Sequence, residues 1–381
     1  MRRFASVLVL SVATLGAQVE MRYTDLAAPD GVKLKASYYT AGKPGPGVLL
    51  LHQCNRDRTV WNDLAAQLAA SGIHVLTFDY RGFGESPGER YQSLPPQQRE
   101  AMAQHWPGDI DAAFQYLLNQ PGVDKTRIGV GGASCGVNNA VQTARRHPEV
   151  KTLVLLSGTT NEDGRAFLQA SGTLPVFISA SADDGDVLPY MRWLASFSHD
   201  ERSRLVAFQA AGHGADMFKV EKTLPGTIVE WFDKTLSEPP AGQNNAPAVK
   251  RPATEKFWNV LIGPKGPARA RRMLEEALKK DPNESLFPEL PVNLLGYERL
   301  QKGAAKEAIE ILKLNELAYP RSANVYDSLA DAYLADHQNA LALEYSEKCL
   351  KVLAENPPAD TERARHIRAN AEDKIHKLKP Q

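Results

Sequence analysis

The chain has 381 residues, 43% of them hydrophobic, enough for one large domain and a smaller one. Its 45 basic residues are balanced by 45 acidic ones, so the charge indicates neither nucleic acid nor an anionic membrane as partner. Three cysteines, Cys54, Cys135 and Cys349, are too few for a disulfide framework, and their odd number leaves at least one free thiol.

Residues 1–17 open with Met-Arg-Arg and continue as an apolar run of about a dozen residues that ends in small side chains. That run is too short to span a bilayer comfortably and has the pattern of a secretory signal peptide, cut after Gly16 or Ala17. The expected product is exported, periplasmic or secreted, with no membrane span left after cleavage.

The first domain is expected over residues 23–236. Val32, Leu34, Ala36 and Tyr38 alternate with polar residues, the period of a half-buried strand. Residues 48–51 are uninterrupted and apolar, as a central parallel strand should be, and end at His52-Gln53-Cys54-Asn55. Helical spacing over 61–71 leads to a strand over 73–78, which ends in Asp79-Tyr80-Arg81-Gly82-Phe83-Gly84-Glu85-Ser86. Strand and helix alternate down to Phe232, which predicts an α/β domain with a doubly wound, mostly parallel sheet.

Residues 127–136, Arg-Ile-Gly-Val-Gly-Gly-Ala-Ser-Cys-Gly, read as a strand that stops abruptly at a serine. Gly132, Ser134 and Gly136 spell G-x-S-x-G, in which a nucleophile rides a tight strand-to-helix turn. Only residues without bulky side chains two places before and after it let the backbone pass that closely. The turn would expose the Ser134 oxygen at the sheet's carboxyl edge and aim the Cys135 amide at the same point. A serine hydroxyl is a weak nucleophile near neutral pH, so it needs a base, and the base an orienter. His213, between Gly212 and Gly214 after a strand over 204–208, is the best-placed base. A short strand over 175–179 is followed by three candidate acids, Asp183, Asp184 and Asp186.

The strand ending in His52-Gln53, the turn over 79–86, the elbow at Ser134 and the late Gly212-His213-Gly214 resemble an α/β-hydrolase of the dienelactone hydrolase-like group. The resemblance implies the order Ser134, Asp184, His213 for nucleophile, acid and base, with Asp183 the alternative acid. It also implies an oxyanion hole of two backbone amides, that of Cys135 and that of Cys54, with Gln53 second for the latter. True dienelactone hydrolases use a cysteine nucleophile, and Cys135 lies one place past the elbow centre, so their particular substrate does not carry over. Many members have His-Gly where this chain has His-Gln. If both amides serve, Cys54 and Cys135 flank one oxyanion site with α-carbons near bonding range, which raises a disulfide between them as a hypothesis. Residues 157–174 are too few for a large lid, and residues 87–106 are the other wall, so a small or medium-sized ester is the expected substrate.

Residues 237–253, rich in proline and amides, read as a linker. Beyond it Val292, Leu295, Gly296, Ala308 and Asn315 recur 34 positions later as Tyr326, Leu329, Ala330, Ala342 and Cys349. Residues 254–355 thus resemble tetratricopeptide repeats, an all-α helical-repeat domain, with a charged helix or tail over 356–381. Such repeats imply a protein or peptide partner; the alternative is a helical appendage packed on the first domain. The reading as a whole is an esterase-like serine hydrolase with no metal or organic cofactor. A peptidase of the same fold and a catalytically inactive scaffold stay open beside it.

Overall fold

The structure, a computed structural model, describes residues 20–185, 187–237, 253–284, 286–358 and 361–379. The signal-peptide reading, Asp186 and nearly all of the linker lie outside the described residues.

Eight strands form one sheet: β1 (Glu20–Ala27), β2 (Lys33–Thr40), β3 (Gly45–Leu51), β4 (His74–Phe78), β5 (Val123–Ala133), β6 (Val150–Leu156), β7 (Val176–Ser181) and β8 (Arg204–Phe208). Their order is β1-β2-β4-β3-β5-β6-β7-β8, antiparallel where β2 meets β1 and β4, and parallel elsewhere. The helices between them are α1 (Asn62–Ser71), α2 (Pro96–Ala103), α3 (Trp106–Leu118), α4 (Cys135–Arg146), α5 (Glu162–Ala170), α6 (Val187–Ala195) and α7 (Leu224–Ser237). Along β3, Val48 and Leu50 join the core under α1 and α7, while Leu49 and Leu51 join the core under α3, α4 and α6. Burial on both faces is why that strand reads as an unbroken apolar run.

Two local expectations change. Strand β2 is buried on both faces over part of its length, because Tyr39 donates to Asn62 of α1 (2.9 Å) and Ser37 accepts from Arg58 (3.1 Å). Helix α2 had no apolar period to announce it, and the short segment 157–174 holds the nine-residue α5.

The turn after β4 is held by one buried carboxylate. Asp79 accepts the backbone N–H of Arg58 (2.7 Å) and of Glu85 (2.9 Å), and pairs with the Arg58 guanidinium. Ser86 then donates to the Asp79 carbonyl (2.7 Å) and accepts from Lys35 N–H on β2 (2.9 Å). Asp79 and Ser86 of this sequence motif are therefore spent on shaping the turn, while Arg81 pairs with Asp109 of α3 and with Asp30.

Beyond the linker, the described residues that form regular structure are all helical: α8 (Ala253–Leu261), α9 (Gly266–Lys280), α10 (Glu289–Gln301), α11 (Ala305–Ala318), α12 (Ala323–Ala335), α13 (Asn339–Glu355) and α14 (Thr361–Leu378). These helices dock onto the first domain through a shared core: Phe257, Trp258, Leu274 and Leu295 belong to the same apolar cluster as α3, α4 and α6. Trp258 stacks on Trp193 at 4.2 Å. Around that stack, Arg165, only 7% exposed, pairs with Glu298 (2.6 Å), and Arg299 grips both oxygens of Glu162 (2.6 and 2.9 Å). Hydrogen bonding from Arg299 holds the Glu162 carboxyl down at about 2. No helix among the described residues is long and apolar enough to cross a membrane.

Candidate active site

Strand β5 ends at Ala133, and Ser134 takes φ 53° and ψ −120°, a conformation unfavourable for a residue with a β-carbon. Neighbouring backbone holds it there. Ser134 N–H donates to Leu156 O on β6, and Val137 N–H donates to Ser134 O as α4 begins, both at 2.9 Å. A β-carbon on Gly132 would lie 2.0 Å from Gly136 O, and one on Gly136 would lie 2.3 Å from Leu51 O. Both glycines are thus sterically obligatory.

Asp184 follows β7 and His213 follows β8, at the same edge of the parallel sheet as Ser134. His213 Nδ1 lies 2.7 Å from Asp184 Oδ2. Asp183 instead accepts the Gly212 N–H at 3.2 Å, and hydrogen bonding with Ser181 holds its carboxyl below the usual range. Asp183 therefore fixes the backbone of the histidine loop, while Asp184 meets the ring. Among the described residues no hydrogen bond joins the Ser134 hydroxyl to His213; in unliganded sites this contact is commonly long and tightens with substrate. His147, the histidine at the end of α4, bonds Asp111 (2.8 Å) and stacks on Phe114.

The loop after β3 lies against the elbow. His52 is fully buried, and its Nε2 accepts the Tyr80 N–H (3.1 Å), so Nδ1 carries the proton and donates to Gln53 O (2.9 Å). Burial pushes its pKa down to about 4. Unfolded, the ring titrates near 6.5, so between these values the unfolded chain binds more protons. The stability this residue contributes is complete above pH 6.5 and is lost as pH falls toward 4. At roughly 1.4 kcal/mol per unit the loss reaches about 3 kcal/mol. Urea unfolding from pH 7 to 4 should show that slope in the wild type and a flatter one in His52→Asn; equal slopes would clear His52 of the effect.

Gln53 does more than the sequence suggested. Its Oε1 accepts the Ala215 N–H (2.7 Å), while Nε2 donates to Asp216 Oδ2 (3.1 Å) and Asn55 Oδ1 (2.8 Å). The side chain ties the loop after β3 to the loop carrying His213. The sequence carries the signal as His-Gln in place of His-Gly, but two of the three partners, Ala215 and Asp216, lie more than 160 positions away.

Cys54 and Cys135 are disulfide-bonded, with α-carbons 5.8 Å apart, and Cys349 is free and buried. The bridge closes a loop of 81 residues, which by chain entropy stabilises the fold by about 4–5 kcal/mol. Denaturant unfolding with and without reductant measures this directly. A loss in the wild type that is absent from a Cys54→Ser, Cys135→Ser double variant is the expected pattern; no loss in the wild type would remove the bridge from the stability account.

Residues 42–183 match the family profile described as "Serine aminopeptidase, S33". An uncharacterised protein of Mycobacterium tuberculosis (strain ATCC 25618 / H37Rv) is 37% identical over 134 residues, 35% of this chain and 43% of its own length. The thiohydrolase aneE of Aspergillus aculeatus is 30% identical over 139 residues, 35% of this chain and 42% of its own. The chain thus spans less than half the length of either relative. Among solved structures, the dienelactone hydrolase from Anabaena variabilis aligns with 57% of this chain and 99% of its own at 20% identity and a TM-score of 0.47.

Proposed function

We propose that the α/β-hydrolase domain of this chain is a serine hydrolase working through an acyl-enzyme, an esterase for small or medium-sized carboxylic esters. One observation carries the reading: a strained serine at the end of β5 shares the sheet edge with a histidine whose Nδ1 is 2.7 Å from a carboxylate. With Nδ1–H directed at Asp184, Nε2 is left as the base. It takes the Ser134 proton as Oγ bonds to the acyl carbon, and returns it to the departing alkoxide as the ester C–O bond breaks. Water activated by the same nitrogen then attacks the acyl carbon, and the acid leaves as Ser134 regains its proton. The amides of Cys54 and Cys135 receive the charge that develops on the carbonyl oxygen.

Turnover of p-nitrophenyl acetate, butyrate and octanoate, together with covalent labelling by a fluorophosphonate, tests the reading. Labelling of Ser134 and turnover of a short ester are expected. An unlabelled, inactive wild type would favour the rival, a catalytically inactive scaffold that binds partners through its helices. The matched family description motivates a second reading, a peptidase, tested by aminoacyl p-nitroanilides in the same assay.

The helical region is read as tetratricopeptide-like. Tyr297 donates to Asp331, 34 positions on (2.7 Å), and Gly296 packs so closely on Leu312 that a β-carbon would come within 2.6 Å. Export is supported by the leader pattern of residues 1–17 and by the Cys54–Cys135 bridge, which persists in an oxidising compartment.

A further inference from the structure

We propose that the cleft between the two domains is the acyl-binding site of the hydrolase, and that α10 sets its specificity for an uncharged acyl group with one apolar and one hydrogen-bonding side. This rests on the serine-hydrolase reading above. The cleft measures about 680 Å³, within the range of small-molecule sites. It reaches Cys135, the residue after Ser134, on one side and α10 of the helical region on the other. A second edge is also anchored at the elbow: the loop leading to Thr159 and Thr160 starts at Gly158, where a β-carbon would lie 2.3 Å from Ser134 O.

The lining defines the ligand. Trp106, Ile110 and Leu294 make an apolar side, and Asn138, Asn139 and Thr160 offer amides and a hydroxyl. Asn138 Oδ1 accepts from Thr160 Oγ1 (3.0 Å) and from Asn161 N–H (3.1 Å), which leaves its NH2 group to donate elsewhere. Every charged lining residue already faces an opposite charge: Arg145 and Asp163 face each other (3.8 Å), Arg146 faces Asp111 (2.7 Å) and Glu298 faces Arg165 (2.6 Å). With two cations and two anions, the lining presents no net charge to favour an ionic group. A plain aliphatic chain would strand the amide donors, since a buried polar group left unpaired is costly. A fully polar one would desolvate against Trp106 and Leu294. Helix α10 is fixed over the cleft by the same pairs that dock the helical region, Arg165 with Glu298 and Glu162 with Arg299.

The test compares three p-nitrophenyl esters on the full-length protein. Acetate carries the shortest acyl group, octanoate is purely apolar, and N-acetyl-phenylalanine is uncharged with both faces. The wild type should favour the N-acetyl-phenylalanine ester over octanoate in kcat/KM. Leu294→Trp, which fills the cleft from the helical side, should lower kcat/KM for that ester about tenfold more than for acetate, mainly through KM. Should Leu294→Trp not fold, Gln301→Trp on the exposed rim of the same helix serves the same comparison. Equal effects of the variant on all three esters, or a preference for octanoate, would overturn the assignment while leaving the hydrolase reading intact. A wild type that turns over none of them and takes no fluorophosphonate would overturn both.

Discussion

Ser134→Ala should lower kcat for p-nitrophenyl acetate by about four to six orders of magnitude and abolish fluorophosphonate labelling. That corresponds to about 5–8 kcal/mol of transition-state stabilisation. The magnitude follows from the division of labour: without Oγ, His213 has no proton to take and Asp184 orients an idle ring, so only the amides and binding contacts remain. Because Ser134 N–H and C=O make the elbow's backbone bonds, and alanine keeps both, the fold should survive. An unchanged urea midpoint would verify that. A variant that keeps a tenth of wild-type turnover would end the proposal that Ser134 is the nucleophile.

Asp79→Ala should destabilise the protein by about 3–5 kcal/mol without touching the elbow. Arg58 is 3% exposed, and its other carboxylate partner, Glu85, is 70% exposed. Removing Asp79 leaves that buried guanidinium only Ser37 and the exposed Glu85, and strands the Arg58 and Glu85 backbone donors; a buried charge that loses its buried partner costs far more than the pair stabilises. A double variant, Arg58→Met with Asp79→Leu, should recover much of the loss, since the only charge then left unpaired, on Glu85, is 70% exposed. Urea unfolding of the three proteins measures this. A single-variant loss under 1 kcal/mol would show that the turn after β4 does not depend on Asp79.

The elbow was legible in the chain because its constraint is local: two glycines flank a serine at fixed spacing, and the steric clash that requires them involves residues 132–137 and the end of the neighbouring strand. Burial on both faces made β3 legible as an apolar run. Helix α2 was not legible because its described residues form no buried apolar face to set a period, and the buried second face of β2 was not because what buries it comes from other parts of the chain. The choice between Asp183 and Asp184 was open to the residues alone. Adjacent aspartates are equivalent in composition, and only the path of the loop decides that one meets the His213 ring and the other the Gly212 amide.

By itself, then, the sequence determined the alternating α/β layers, the helical second region and the serine turn, all of which follow from short-range periodicity and backbone sterics. Tertiary structure decided the rest: that Gln53 clamps the histidine loop, that Cys54 meets Cys135, and that α10 walls a cleft beginning next to Ser134. Each of these depends on groups 81 or more positions apart, such as Arg165 and Glu298 at a separation of 133. No periodic pattern encodes such encounters. They exist only once the two regions share one apolar core and the chain entropy of bringing them together has been met by burying it.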